Sequence, residues 1–345
     1  MLRSGVEVLK EAAAVIASGG IAAFPTETVY GLGADAFNPA AVAKVYAAKG
    51  RPGDNPLILH VASKDAFMQL TEKQPAYALA LIDAFWPGPL TIVAKKKAYL
   101  PEWVGGHPNG AASTIGVRMP SHPLALAVIN ESGCVIAAPS ANLAGTPSPT
   151  RAEHVAKDFK SGEVDFILDG GAVPGGLEST VVDVTGPEPV ILRPGAVTAK
   201  MIADATGLKA HEPGVPVSAA PPRSPGMKYR HYAPKAPMTL LIGSENDIAA
   251  YVMEQYTKGQ SLCIGVLVTA ETEFAFCNSL PFKFITLGRK SAPETIAQNL
   301  YAGLRQFDAL GVDVIYAEGL AQDGLGAAIM DRMRKAAEGR VVYVS

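Results

Sequence analysis

Between His211 and Pro237 prolines crowd together and any periodic apolar pattern disappears. Prolines lack an amide hydrogen and lock φ, so such a stretch cannot run through a sheet or a long helix. It divides the 345 residues into two parts, each long enough to build a core of its own. We expect a first domain over 1–207, a proline-rich linker over 208–237 and a second domain over 238–345. Beyond the linker, strand-like runs (Met238–Ile242, Leu262–Val268, Phe284–Leu287, Val314–Glu318) alternate with helical patterns around Ile248–Tyr256, Pro293–Leu310 and Ala327–Ala337. That alternation implies a small three-layer α/β domain with a parallel sheet.

The first part is less regular. Ser4 is placed to cap a helix that stops at Gly19-Gly20, and Ile21–Phe24 reads as a short buried strand. Asn38-Pro39 opens a helix that runs to Lys49 and stops at Gly50. Strand-like runs follow at Leu57–Val61, Leu90–Ala94, Ile115–Met119, Val135–Ala138, Phe166–Leu168 and Thr180–Val184, with helical patterns at Tyr77–Phe85, Leu124–Ile129 and Arg151–Phe159. Some strands follow one another with no helix between, so a mixed sheet is expected.

The formal net charge of -2 gives no overall attraction to nucleic acid or to an acidic membrane, so an anion site must be local. Three cysteines far apart, with no Cys-x-x-Cys pair, argue against a disulfide framework or zinc cluster and fit a reducing compartment. Arg3, Glu7, Lys10 and Glu11 interrupt any apolar signal core, and no run reaches membrane-spanning length. A cytoplasmic protein without membrane contact is expected.

Local anion sites are easy to find. Gly31-Leu-Gly33-Ala-Asp-Ala36 formally matches the dinucleotide fingerprint, but Pro25 disturbs the preceding strand and the next helix opens only at Asn38, so the match reads as accidental. Lys49-Gly-Arg51-Pro-Gly-Asp-Asn55-Pro is a better candidate. Lys49 suits the dipole of the helix it ends, whereas Arg51 lies on a proline-fixed loop and offers a planar fork that matches phosphate. Ser140 and Asn142 follow an apolar strand, where they either cap a turn or meet a ligand, and Ser148 or Thr150 should cap the helix at Arg151. Arg118 shares a strand face with Thr114 and Gly116 and either snorkels to an edge or binds an anion. Ser179 and Arg193 put a hydroxyl and a guanidinium at further strand ends. His60 could be a satisfied core histidine. With no histidine pair at metal-ligand spacing and no nucleophile elbow, the inventory favours catalysis by positioning and charge stabilisation.

These segments together resemble the Sua5/YrdC/YwlC family of threonylcarbamoyl-AMP synthases, in its longer two-domain Sua5 form. The matching pieces are PTETVYGLG (25–33), KGRPGDNPL (49–57), PGPLT (87–91), IGVRMP (115–120), APSANLAG (138–145), ESTVVD (178–183), ILRPG (191–195) and SPGMKYRHYAP (224–234). The segment EGLAQDGLGAAIMDRMRKAA (318–337) is similar to the end of the Sua5 domain. The resemblance implies an α/β protein: an N-terminal YrdC-like twisted mixed sheet with a concave face, and a smaller Rossmann-like parallel α/β domain. It implies that L-threonine, bicarbonate and ATP give threonylcarbamoyl-adenylate, pyrophosphate and water, with Mg2+ carried by the ATP phosphates and no protein metal site. The product would pass to a threonylcarbamoyl-transferase complex that modifies adenosine 37 of tRNAs reading codons that begin with A, with at most a weak tRNA contact here.

By family pattern, Thr28, His60, Arg118 and Ser179 would bind threonine. Arg51, Asn55, Thr114, Ala138, Ser140, Asn142, Ser148, Arg193 and Tyr232 would bind ATP, with Lys49 and Arg51 catalytic. Tyr232 would reach the pocket on a linker folded over it as a lid. Two other readings stay open: an RNA-binding module, and an adenylate-forming enzyme that uses another amine.

Overall fold

The computed structural model describes residues 6–107, 109–211, 231–259, 262–276 and 282–345. Ser4, Cys277 and most of the proline-rich stretch, with its expected lid, lie outside them. Contacts divide the chain into two units. The first holds the N-terminal part up to the proline-rich stretch, except for Gly145–Pro147 and Gly175–Leu177, which belong with the C-terminal part.

In chain order the first unit runs α1 (Val6–Ala17), β1 (Ala22–Phe24), β2 (Gly31–Asp35), α2 (Pro39–Lys49), β3 (Ile58–His60), α3 (Lys64–Leu70) and α4 (Ala76–Phe85). It continues with β4 (Leu90–Lys95), β5 (Thr114–Arg118), α5 (Pro123–Ser132), β6 (Ile136–Ala137), α6 (Ala152–Asp158), β7 (Phe166–Ile167), β8 (Thr180–Asp183), β9 (Val190–Arg193) and α7 (Ala199–Thr206). The expected punctuation of α2 is present: Asn38 Oδ1 accepts from the Ala40 and Ala41 amides, Pro39 opens the helix, and Gly50 ends it at φ 58°.

The nine strands form one mixed sheet in the order β7-β1-β2-β6-β3-β5-β4-β8-β9. The pairs β1–β7, β3–β5 and β4–β8 are parallel and the remaining neighbours antiparallel. Strand β2 was not expected, because its glycines read as a loop. Packing explains one of them: a Cβ on Gly33 would meet Ile136 and the Phe24 ring at 2.6 Å. No helix opens on these glycines, in keeping with the accidental fingerprint.

At the centre of this sheet, period two sends Leu59, Ile92, Ala94, Ile115 and Val117 into a core with Phe67, Leu81, Trp86 and Ile202. The alternate residues Ile58, His60, Thr91, Thr114, Gly116 and Arg118 point to the other face. Burying apolar side chains at about 25 cal/mol per Å² holds the first set in place, and that fixes where the second set must point.

The second unit runs β10 (Met238–Ile242), α8 (Glu245–Lys258), β11 (Ile264–Val268), α9 (Ala270–Glu273), β12 (Lys283–Thr286), α10 (Pro293–Leu310), β13 (Val314–Glu318), α11 (Leu325–Ala336) and β14 (Val341–Tyr343). Its five strands are all parallel, in the order β12-β11-β13-β10-β14. Ile264, Val266 and Val268 pack with Ile248 and Val252 of α8. Gly265 and Leu267, on the opposite face, lie against Phe307 and Gly303 of α10, which gives the expected three layers. Among the described residues no helix is long and apolar enough to cross a membrane.

Candidate functional site

Seven neighbouring strands of the first sheet, from β2 to β9, carry most of the polar residues singled out above on themselves or near their ends. Arg118 closes β5 beside His60, its register partner on β3. It does not reach an edge: β5 lies inside the sheet and Arg118 is buried. A sheet centre offers no water to a guanidinium, so the chain supplies partners. Arg118 Nε donates to Gly88 O at 3.3 Å, Nη1 donates to Thr28 Oγ1 at 2.9 Å, and Nη2 lies 2.6 Å from Glu27 Oε1. Burial pushes the Glu27 carboxyl up, but the charge and hydrogen bonding of Arg118 outweigh it and hold Glu27 below the usual range. His60 is driven down to about 3 by burial and then by the Arg118 charge, so it is neutral at physiological pH. Its Nδ1 lies 3.2 Å from Ile58 O.

On the other side of β5, Ser179 precedes β8. Its Oγ contacts Thr91 Oγ1 at 2.8 Å and accepts from Arg193 Nη2 at 3.1 Å, while Arg193 Nε donates to Ser179 O at 3.1 Å. Thr91 also lines a cavity of about 640 Å³, together with Ile58, Val93, Thr114, Gly116 and His107. Thr114 and Arg118 bracket β5, roughly 13 Å apart at strand rise. Gly116 stands between them on the same face and adds no side chain to the cavity floor.

The opposite end of β3 collects a second group. Lys49 is buried, and its ammonium donates to the main-chain carbonyls of Ser140 and Asn142; its role exceeds that of a helix-dipole partner. The Ala144 amide returns a bond to Lys49 O at 2.9 Å, so α2 and the Ser140–Ala144 turn are laced together. Ala138, at the end of β6, donates its amide to Ile58 O at 3.0 Å. Arg51 braces its own loop through Asn55 O at 3.1 Å and Pro56 O at 2.7 Å, and the buried Asn55 Oδ1 takes no hydrogen bond.

Ser148 and Thr150 do not cap α6, whose N-cap Arg151 has no side-chain cap. Ser148 Oγ instead donates to Glu178 at 2.5 Å. The N-cap position falls at Arg151, so Ser148 stands three residues outside it.

The family model described as "Telomere recombination", covering Sua5, YciO and YrdC proteins, matches residues 14–195. The model described as "Threonylcarbamoyl-AMP synthase, C-terminal domain" matches residues 197–338. Threonylcarbamoyl-AMP synthase of Bacillus subtilis is 45% identical over 334 residues, covering 97% of this chain and 94% of that protein. The chain belongs to the Sua5/YrdC family. The Pyrococcus abyssi synthase is 42% identical over 97% of this chain and 96% of its own. The crystal structure of Pyrococcus abyssi Sua5 complexed with L-threonine has a TM-score of 0.89 at 40% identity, with 100% of both chains covered.

Within this Sua5-type chain, four residues beside the site escaped the reading from sequence: Thr26, Glu27, Thr91 and Glu178. Thr26 and Glu27 lie inside the PTETVYGLG segment, and Glu178 begins ESTVVD, so position in a motif was the available signal. Thr91 offered only its place at the end of PGPLT. Tyr232 stands in the second unit, buried at φ 62°, with its ring 5.3 Å from that of Tyr301 and 5.8 Å from the Arg332 guanidinium.

Proposed function

We propose that this chain condenses L-threonine, bicarbonate and ATP to L-threonylcarbamoyl-adenylate, with release of pyrophosphate and water. The observation that carries the proposal is β5, which holds the buried Arg118 guanidinium beside Thr28 and His60 at one end, while Thr114 and Gly116 line a cavity sized for a small-molecule ligand toward the other. Arg118 is built to take an α-carboxylate bidentately, with Thr28, His60 and Ser179 around the rest of the amino acid. Asn55, Thr114, Ala138, Ser140, Asn142 and Ser148 would receive the nucleotide.

The chemistry asks for little beyond positioning. The threonine amine adds to the bicarbonate carbon, water leaves, and a carbamate oxygen attacks the α-phosphorus as pyrophosphate departs. Negative charge accumulates on phosphate oxygens, and Arg51 and Arg193 are the cations to meet it, with Lys49 holding the Ser140–Asn142 turn in place. Among the described residues no group of three acidic, histidine or cysteine side chains could cage a metal. Mg2+ would enter as part of the substrate, bound to the triphosphate, where it spreads the phosphate charge. The adenylate would then serve a transferase complex that modifies adenosine 37 of tRNAs reading ANN codons.

The test is pyrophosphate release with each substrate omitted in turn. Release should need threonine and bicarbonate together with ATP. Equal release without threonine or without bicarbonate would overturn the proposal, and release with another amino acid in place of threonine would transfer it to a related adenylate.

A further inference from the structure

The turn ahead of β2 holds a device that none of the roles above uses. Thr26 Oγ1 donates to Val29 O at 2.7 Å, so its single proton is spent. Thr28 Oγ1 lies 2.7 Å from Thr26 Oγ1 and must therefore be the donor in that contact. Arg118 Nη1 already donates to Thr28 Oγ1. The Thr28 hydroxyl is thus left with a lone pair and no proton to offer, an acceptor of fixed sense.

Glu27 acts on the neighbouring atom. Its carboxylate sits 2.6 Å from Arg118 Nη2, a charge-assisted contact. The contact fixes the guanidinium and offsets the cost of burying its charge, and Nη1 keeps a second hydrogen beyond the one given to Thr28.

Resting on the threonine reading above, we infer that Thr26 and Glu27 are positioning residues that give the amino-acid end its hydrogen-bond sense. Glu27 aims Arg118 at the carboxylate. Thr26 turns the Thr28 proton inward, so that the amino-acid hydroxyl must donate to Thr28. A substrate whose hydroxyl is replaced by a group that only accepts is rejected by polarity, beyond any difference in size.

Two variants test this, each measured by pyrophosphate release with threonine and ATP varied separately. Glu27→Gln keeps the shape and removes the charge. It should raise the KM for threonine about ten- to hundredfold, the loss expected for a misaimed charged hydrogen bond, with the KM for ATP within about twofold and Glu27→Asp recovering part of the loss. Equal rises in both KM values, or no rise, would overturn the role of Glu27.

Thr26→Val should narrow the preference for threonine over its 3-fluoro analogue, which cannot donate, by about tenfold. Thr26→Ser should retain the wild-type preference. An unchanged preference in Thr26→Val would overturn the role of Thr26. Should Glu27→Gln fail to fold, the Thr26 pair decides alone. Wild-type protein that releases pyrophosphate without threonine would sink the underlying reading instead, so the two failures are distinguishable.

Discussion

Each unit buries a carboxylate among strand ends, and the two treat it in opposite ways. In the second unit Glu318 closes β13. Its oxygens accept from the Thr269 amide at 2.7 Å, Thr269 Oγ1 at 2.8 Å and Thr272 Oγ1 at 2.7 Å, and pair with Lys290 at 2.8 Å. The chain leaves β11 toward β12 and leaves β13 toward β14, in opposite directions across the sheet. Such a reversal is where open parallel sheets usually take a ligand, and here the chain's own groups fill it.

In the first unit Glu27 pairs with Arg118, and three of the five Arg118 N–H groups are directed at the chain: at Gly88 O, Thr28 Oγ1 and the Glu27 carboxylate. A polar network that satisfies itself stabilises a fold. One that is held still with bonds to spare is ready for a ligand.

Arg118→Ala should break this contrast most sharply. It removes the fork and strands Glu27, so kcat/KM for threonine should fall about a hundredfold or more while the KM for ATP changes far less. Steady-state kinetics with each substrate varied decides it, and a larger ATP effect would move the amino acid elsewhere. Glu318→Gln should do the converse. Thermal or urea melts should show a loss of about 2–3 kcal/mol from the buried network, with threonine-dependent pyrophosphate release within about twofold well below the melt. Lost activity in a fully folded Glu318→Gln protein would mean that the second unit takes part in the reaction.

The smallest effect is acid sensitivity. His60 has a folded pKa near 3 against about 6.5 in an unfolded chain, so the unfolded state takes up its proton first. The stability contribution is complete above pH 6.5 and is lost as pH falls toward 3, about 2 kcal/mol of it between pH 7 and 5. Urea melts across that range should show a shallower slope in His60→Asn than in wild type. Parallel slopes would contradict a buried neutral His60.

Most of the elements could be read locally. Asn38-Pro39 and Gly50 delimit α2 as expected, and β10, α10 and β13 have the limits that their apolar runs suggest. The failures share a cause. Strand β2 was hidden because Gly33 is there for the Phe24 ring and Ile136, and a glycine shows nothing of its neighbours. Ser148 looked like a cap because its actual acceptor, Glu178, is 30 residues away. Glu27 was passed over because its partner is Arg118, on a strand far along the chain.

The amino-acid order alone settled the kind of sheet in each part and the families of side chain available to a site. Those features follow from backbone preference and apolar spacing, which act over a few residues. Only folding decided which polar groups were used up inside the chain and which were left facing a cavity. That outcome rests on pairings such as Thr28 with Arg118 or Thr91 with Ser179, separated by 90 and 88 residues, and no local pattern carries information across such a gap.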